Sequence, residues 1–225
     1  MCGRSSLTKT EKEIEERFNA TFYSEDLERY NPIPNFNVAP TQRMPVITSV
    51  DPTKIQLFRW GLIPSWAKDT KIGFSLINAR LETISEKPMF KSRLSRGRCI
   101  VPMDGFYEWK MQDGGKIPYR IVTTDQVIFS VAGLWDAWLD NKSGILLYTF
   151  TVITRSPNTL MENIHDRMPA ILTPENESLW LDNHLKPSDT LDLLQPYPSE
   201  YMYAYPVSTE VNNVRNNNAN LIEAV

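Results

Sequence analysis

Along the first twenty residues the apolar positions recur at helical spacing. Ile14 and Phe18 fall on one face of an otherwise polar stretch, and Thr8 and Glu11 stand at capping-box spacing, so a helix is expected over residues 8–19. From about residue 43 to 153 the pattern changes. PVITSV, IQLFRW, RCIVPMD, GFYEWK, VIFSVAGLW and GILLYTFTVI are short β-type runs punctuated by Gly, Pro, Asn and Asp. Consecutive strands with few long helices between them predict a largely antiparallel sheet curled towards a barrel. TPENESLWLD, with Thr173 as cap and Pro174 in the first turn, predicts a short helix, and a second is expected at 188–195. The segment VSTEVNNVRNNNANLIEAV is rich in Asn, yet its Val, Leu and Ile residues predict docking onto the body of the protein.

Composition narrows the picture. The 225 residues are 41% hydrophobic and 11% aromatic, enough for one sizeable core, and neither a repeat nor a boundary divides them. A single domain over 1–225 is expected. No apolar run approaches the roughly 20 residues that span a bilayer. The start, MCGRSSLTKTEKEIEERF, lacks the apolar core of a secretory signal, so a cytoplasmic protein without a membrane partner is expected. Cys2 and Cys99 lie far apart with no CxxC spacing, which indicates neither a disulfide framework nor a zinc site. A net charge of -3 and a pI near 5.5 argue against broad, charge-driven binding to duplex DNA. The charge is uneven, however: Arg80 to Arg98 holds six Lys/Arg and two Asp/Glu. A solvated face is the usual meaning of such a run.

Several residues could carry chemistry. If methionine removal makes Cys2 the first residue, it presents a free amine and a thiol on one carbon skeleton. Such a 1,2-aminothiol condenses with an aldehyde to an imine and then closes a thiazolidine ring. Reference pKa values of roughly 7.7–8.0 for the amine and 8.5 for the thiol leave a usable fraction of each near neutrality. Gly3 gives the backbone freedom to approach a ligand. The plainer alternative is an incidental cysteine near a frayed end. His165, in NIHDRMPAIL, is one of two histidines and sits beside Asp166 and Arg167; a buried, satisfied histidine is its alternative. His184 is expected to be structural or exposed. Strand alternation puts Phe106, Glu108 and Lys110 on one face and Tyr107 and Trp109 on the other. A carboxylate among such rings is partly desolvated, which raises its pKa towards the range useful for proton transfer; a surface glutamate is the bland reading. Asn78 and Arg80, two apart in LINARLET, share a face if extended, where an amide and a guanidinium suit a polar substrate and a phosphate. Arg4, Arg59, Trp60, Trp66 and the loop from Asn37 to Pro40 complete the set. Arginines interleaved with aromatics suit unpaired bases and phosphates, although Trp60 is expected to pack in the core.

MCGR, FNVAPTQ, RWGLIPSWA, INARLET, CIVPMDGFYEWK and IHDRMP, in this order and spacing, resemble the SOS-response-associated peptidase (SRAP) family of abasic-site processing proteins. The resemblance runs from Cys2 to VNNVRNNN. It implies an α+β single domain with a mainly antiparallel, barrel-like β core flanked by helices. It also implies that Cys2 forms a thiazolidine with a ring-opened abasic deoxyribose, and that Asn78, Glu108 and His165 line the pocket. The glutamate would move protons during imine formation; the histidine would assist ring opening and crosslink reversal. Arg4, Arg80 and Arg167 match arginines that hold DNA phosphates. Asn37 belongs to the matched FNVAPTQ loop, and Pro40 and Trp66 match a loop and wedge suited to single-stranded DNA or a strand junction. One departure is Pro88 before Met89, where some members carry a basic residue; Lys87 and Lys91 are candidate substitutes.

The expected partner is therefore single-stranded DNA containing abasic sites, bound by a monomer with no metal or other cofactor and with weak lyase character. Two other readings compete. One is a cysteine peptidase or amidohydrolase using Cys2, His165 and Glu108; the other is a non-covalent reader of DNA structure.

Overall fold

The computed structural model describes residues 2–29, 31–112 and 114–225. Its strands are β1 (Ser5–Leu7), β2 (Thr21–Phe22), β3 (Asn35–Val38), β4 (Arg43–Thr48), β5 (Lys54–Trp60), β6 (Asn78–Arg80) and β7 (Arg98–Met103). They continue as β8 (Gly105–Gln112), β9 (Gly115–Thr123), β10 (Phe129–Leu139), β11 (Leu146–Arg155), β12 (Met168–Pro169), β13 (Ile171–Leu172) and β14 (Met202–Pro206). One sheet has the order β14-β9-β8-β1-β3; the other runs β12-β11-β10-β7-β4-β5-β2, with β13 on β10 and β6 on β11. The ladders are mainly antiparallel, with parallel pairing where β5 and β6 meet β11 and where β2 meets β5. This is the α+β fold with a barrel-like core that the strand pattern predicts.

Residue alternation builds two layers of core. Val38, Met44, Phe58, Cys99, Val101, Phe106, Phe129 and Val152, drawn from both sheets, meet in one interior that also contains Cys2. Their neighbours Ile47, Ile55, Ile100, Leu134 and Ile153 point the other way, into a second layer. That layer is covered by helices α1 (Glu11–Phe18), α3 (Pro88–Arg96) and α4 (Pro174–Leu181) through Ile14, Phe90, Leu94 and Trp180. Burial on both faces explains why these strands read as near-continuous apolar runs. The remaining helices are α2 (Ser24–Arg29) and α5 (Pro187–Asp192), the latter shorter than the expected 188–195.

The helix expected from residue 8 begins later. Thr10 and Glu13 form the capping box, with the Glu13 N–H donating to Thr10 Oγ1 at 3.3 Å and the Thr10 N–H donating to Glu13 Oε2 at 2.8 Å. Thr8 is engaged elsewhere: its N–H donates to Asp104 Oδ2 at 2.7 Å. Asp104 also accepts from Ser6 Oγ at 2.6 Å and pairs with the buried Arg120 at 3.1 Å, so it fastens β1 to the start of β8. Helix α3 lies inside the basic run and was not foreseen as a helix, although Pro88 at its first turn and the i,i+4 pair Phe90 and Leu94 mark it. Arg98, counted in that run, is fully buried. It donates to the carbonyls of Leu94, Trp180 and Asp182, satisfying the open ends of α3 and α4. The Asn-rich segment docks as expected: Val207, Val211 and Leu221 form a small core with Tyr107.

Candidate functional site

Strand β1 places the start of the chain. Ser5 lies opposite Phe106 and the Tyr107 N–H donates to the Arg4 carbonyl at 2.9 Å, a register that brings Gly3 level with Glu108. Cys2 is fully buried in the barrel interior. Burial pushes its thiol well above the ordinary range, and the nearby Glu108 charge pushes the same way, while the Arg4 backbone N–H offers the sulfur a partial counterweight. This corrects the expectation of a usable thiolate fraction at neutrality: in this interior the sulfur is a thiol.

Glu108 is buried on the same face of β8 as Phe106, with Tyr107 and Trp109 on the other, as alternation predicts. Desolvation lifts its carboxyl to about 7. His165 Nε2 stands 3.7 Å from Glu108 Oε2. The Arg167 backbone N–H donates to His165 Nδ1 at 3.0 Å, which in the neutral ring puts the proton on Nε2, facing Glu108. The exposed Asp166 carboxylate also lies 2.9 Å from Nδ1, a partner for the imidazolium alone. Burial dominates and lowers the histidine pKa, so the neutral ring prevails. Glu108, Trp109, Lys116, His165 and Asn212 line a cavity of about 540 Å³. Lys116 and Asn212 were missed in the sequence because a hairpin and the docked C-terminal segment bring them in from a distance.

Asn78 and Arg80 do share a face. In the parallel ladder they lie level with Val152 and Thr154, and Val152 belongs to the interior that holds Cys2. Both polar atoms of the Asn78 amide are buried with no partner among the described residues. An amide so placed is costly unless a ligand completes it. Arg80 is exposed.

The other candidates differ in availability. Trp66 is 63% exposed, on a loop tied down by Ser65 N–H to Asp136 Oδ2 at 2.9 Å and by Trp138 Nε1 to the Ala67 carbonyl at 2.7 Å. Pro40 is half-buried in the turn before β4. Trp60 is core, its Nε1 donating to the Ile77 carbonyl at 2.9 Å, as expected. Arg59 lies over the exposed Phe74 ring. Asn37 is buried: its amide donates to the carbonyls of Val211, Asn213 and Asn216 and accepts from Arg4 Nη1 at 2.8 Å. In this geometry it fastens the C-terminal segment and steadies Arg4, which also lies over the Trp109 ring. Arg167 is paired with Glu82 at 2.7 Å. Lys87 and Lys91 are exposed at the start of α3, and His184 is exposed beyond α4. Among the described residues no group of His, Cys, Asp or Glu is arranged to hold a metal, and no helix is long and apolar enough to cross a membrane.

The site is a buried cysteine and a glutamate–histidine pair in a barrel-like α+β chain. The chain belongs to the SOS response associated peptidase (SRAP) family, whose model matches residues 1–214. It is 47% identical to "Abasic site processing protein YoqW" of Bacillus subtilis (strain 168) over 227 residues that cover all of both chains. It is 34% identical to "Abasic site processing protein HMCES" of Xenopus tropicalis across all of this chain and 78% of that one. A crystal structure of a Bacteroides thetaiotaomicron protein superposes with a TM-score of 0.91 at 36% identity, covering both chains fully.

Proposed function

We propose that this protein processes abasic sites, capturing them in single-stranded DNA as a covalent adduct of Cys2 once residue 1 has been removed. The observation that carries this reading is a buried Cys2 whose thiol feels the charge of Glu108, with His165 3.7 Å from that carboxylate. The names of the relatives point to the same lesion.

The chemistry balances with no cofactor. The freed amine adds to the aldehyde of the ring-opened deoxyribose and the carbinolamine loses water, leaving an imine. Sulfur then bonds to the imine carbon while the thiol proton passes to nitrogen, closing the five-membered ring. A carboxyl held at about 7 suits both halves: as an acid it protonates the departing hydroxyl, and as a carboxylate it takes the thiol proton. The high thiol pKa does not prevent closure, because the sulfur is tethered beside its target and reacts at high effective concentration. Neutral His165, with Nε2–H towards Glu108, relays protons to and from the sugar. The Asn78 amide offers a donor and an acceptor to a sugar hydroxyl. Exposed Arg80 suits a phosphate, and exposed Trp66 suits an unpaired base or the end of a duplex at a junction. Before the ring closes, the imine allows slow β-elimination, the source of weak lyase character.

The test is incubation of wild type and Cys2→Ala with abasic and intact oligonucleotides, resolved on a denaturing gel beside an intact-mass measurement. A denaturation-resistant adduct is expected only from wild type lacking residue 1, and only with abasic DNA. Equal adduct yield from Cys2→Ala sinks the proposal. Peptide hydrolysis without any adduct would turn the reading towards a cysteine hydrolase.

A further inference from the structure

This inference rests on the proposed capture of single-stranded DNA: Arg167, which the family resemblance matches to a phosphate-holding arginine, is already occupied. Its Nη1 donates to Glu82 Oε1 at 2.7 Å and its Nη2 to Glu82 Oε2 at 2.8 Å, the parallel two-bond geometry that an arginine makes with either a carboxylate or a phosphate. Nη2 also donates to the Thr154 carbonyl at 2.8 Å, which holds the guanidinium against β11. The Arg167 side chain is 11% exposed and that of Glu82 45%, so the carboxylate is the outer partner, standing between the guanidinium and solvent. Glu82 sits on the short turn Leu81–Thr83 directly after Arg80, and Arg80 makes no ion pair among the described residues. The two arginines therefore flank β11 with only one of them shielded.

We infer that Glu82 holds the place of a DNA phosphate on Arg167, so that a strand docks by exchanging this carboxylate for one of its own phosphates. The hydrogen bonds from Arg167 hold the Glu82 carboxyl at about 2, so it remains an anion at any working pH and the exchange is not gated by protonation. In the free protein the exchange partner is neutralised, which weakens the grip on strands that offer nothing else to the site. Glu82 is thus a positioning residue that sets strand affinity.

The test uses an intact single-stranded oligonucleotide and one carrying a tetrahydrofuran abasic analogue, which has no aldehyde, so that affinity is read apart from covalent chemistry. Glu82→Gln is expected to bind both at least about threefold more tightly at low salt, because the strand no longer has to displace a carboxylate to reach Arg167. Arg167→Ala should bind more weakly than wild type, and adding Glu82→Gln to it should restore nothing. Glu82→Asp, which keeps the charge but cannot span both nitrogens as well, should fall between wild type and Glu82→Gln, and thermal melting confirms that each variant is folded. Unchanged or weaker binding by folded Glu82→Gln overturns the inference. Because the parent reading is scored by adduct formation with true abasic DNA, loss of one does not imitate loss of the other.

Discussion

His165 Nε2 lies 3.7 Å from Glu108 Oε2, and the environments of the two groups push their pKa values towards each other. Burial raises the carboxyl to about 7 and lowers the imidazole from its usual value, so the ordinary order of acidity between a glutamate and a histidine is reversed. The pair meets across strand β8 and the turn before β12, segments more than fifty residues apart. Near neutrality the carboxyl is divided between its protonated and ionised forms beside a neutral ring. The carboxyl can then give or take a proton while the ring directs its Nε2–H at it.

Glu108→Gln is expected to slow adduct formation by about a hundredfold or more, the usual worth of a positioned acid–base group. It should also remove the inflection near pH 7 from the rate profile. Stability should move the opposite way. Because the folded-state pKa is raised, the contribution of Glu108 to stability is fully present below its unfolded value and is lost as pH rises through about 7. Melting curves should therefore show the Gln variant more stable than wild type at pH 8, with the gap closing towards pH 4. An equal gap at both ends of that range would mean the carboxyl titrates normally.

Cys2 and Cys99 are both fully buried and both thiols are pushed up by that burial. A bulky aromatic disulfide reagent at pH 7 should accordingly label neither at an appreciable rate in the folded protein, and both in denaturant. Rapid labelling of Cys2 in the native state would show that the thiol is delivered as an exposed thiolate, contrary to the tethered attack argued above.

The strands were legible from their apolar runs, and alternation in GFYEWK put Glu108 on the face of Phe106; that this face is buried had to come from the fold, because Tyr107 on the other face is equally buried. The start of α1 was not, because Thr8–Glu11 and Thr10–Glu13 offer the same spacing, and only the distant Asp104 decides between them. Asn37 shows the same limit at the site. A polar residue in a loop next to candidate DNA contacts looks available in a sequence, yet partners more than 170 positions away occupy its amide. Glu82 was overlooked for the same reason, since its partner Arg167 is 85 positions away. Local pattern reports which face a side chain takes; it does not report what arrives on that face from elsewhere in the chain.

Asn37→Ala leaves the carbonyls of Asn213 and Asn216 without their Asn37 donor and removes one of two acceptors of Arg4 Nη1, the other being the Val211 carbonyl. Stability should fall by about 1–3 kcal/mol, the cost of stranding buried polar groups. Proteolysis should begin within residues 207–225. Reduced strand affinity without any loss of stability would instead identify Asn37 as a direct contact.

Trp66 and Gly61 separate binding from folding on one loop. Gly61 has φ +116°, and a Cβ there would stand 2.7 Å from the Gly73 carbonyl oxygen, while Gly73 in turn leaves room for the Gly61 carbonyl. The two glycines thus let the ends of the segment bearing Trp66 pass each other at backbone contact distance. Gly61→Ala should cost about 2 kcal/mol or more through strain and clash combined, and it should weaken strand binding by displacing the loop. Trp66→Ala removes an exposed ring, so its melting temperature should match wild type. Its affinity for single-stranded DNA should nevertheless drop by about 1–3 kcal/mol, the worth of one stacked base. If Trp66→Ala binds as well as wild type, the exposed tryptophan is not a stacking platform and the strand takes another route to Cys2.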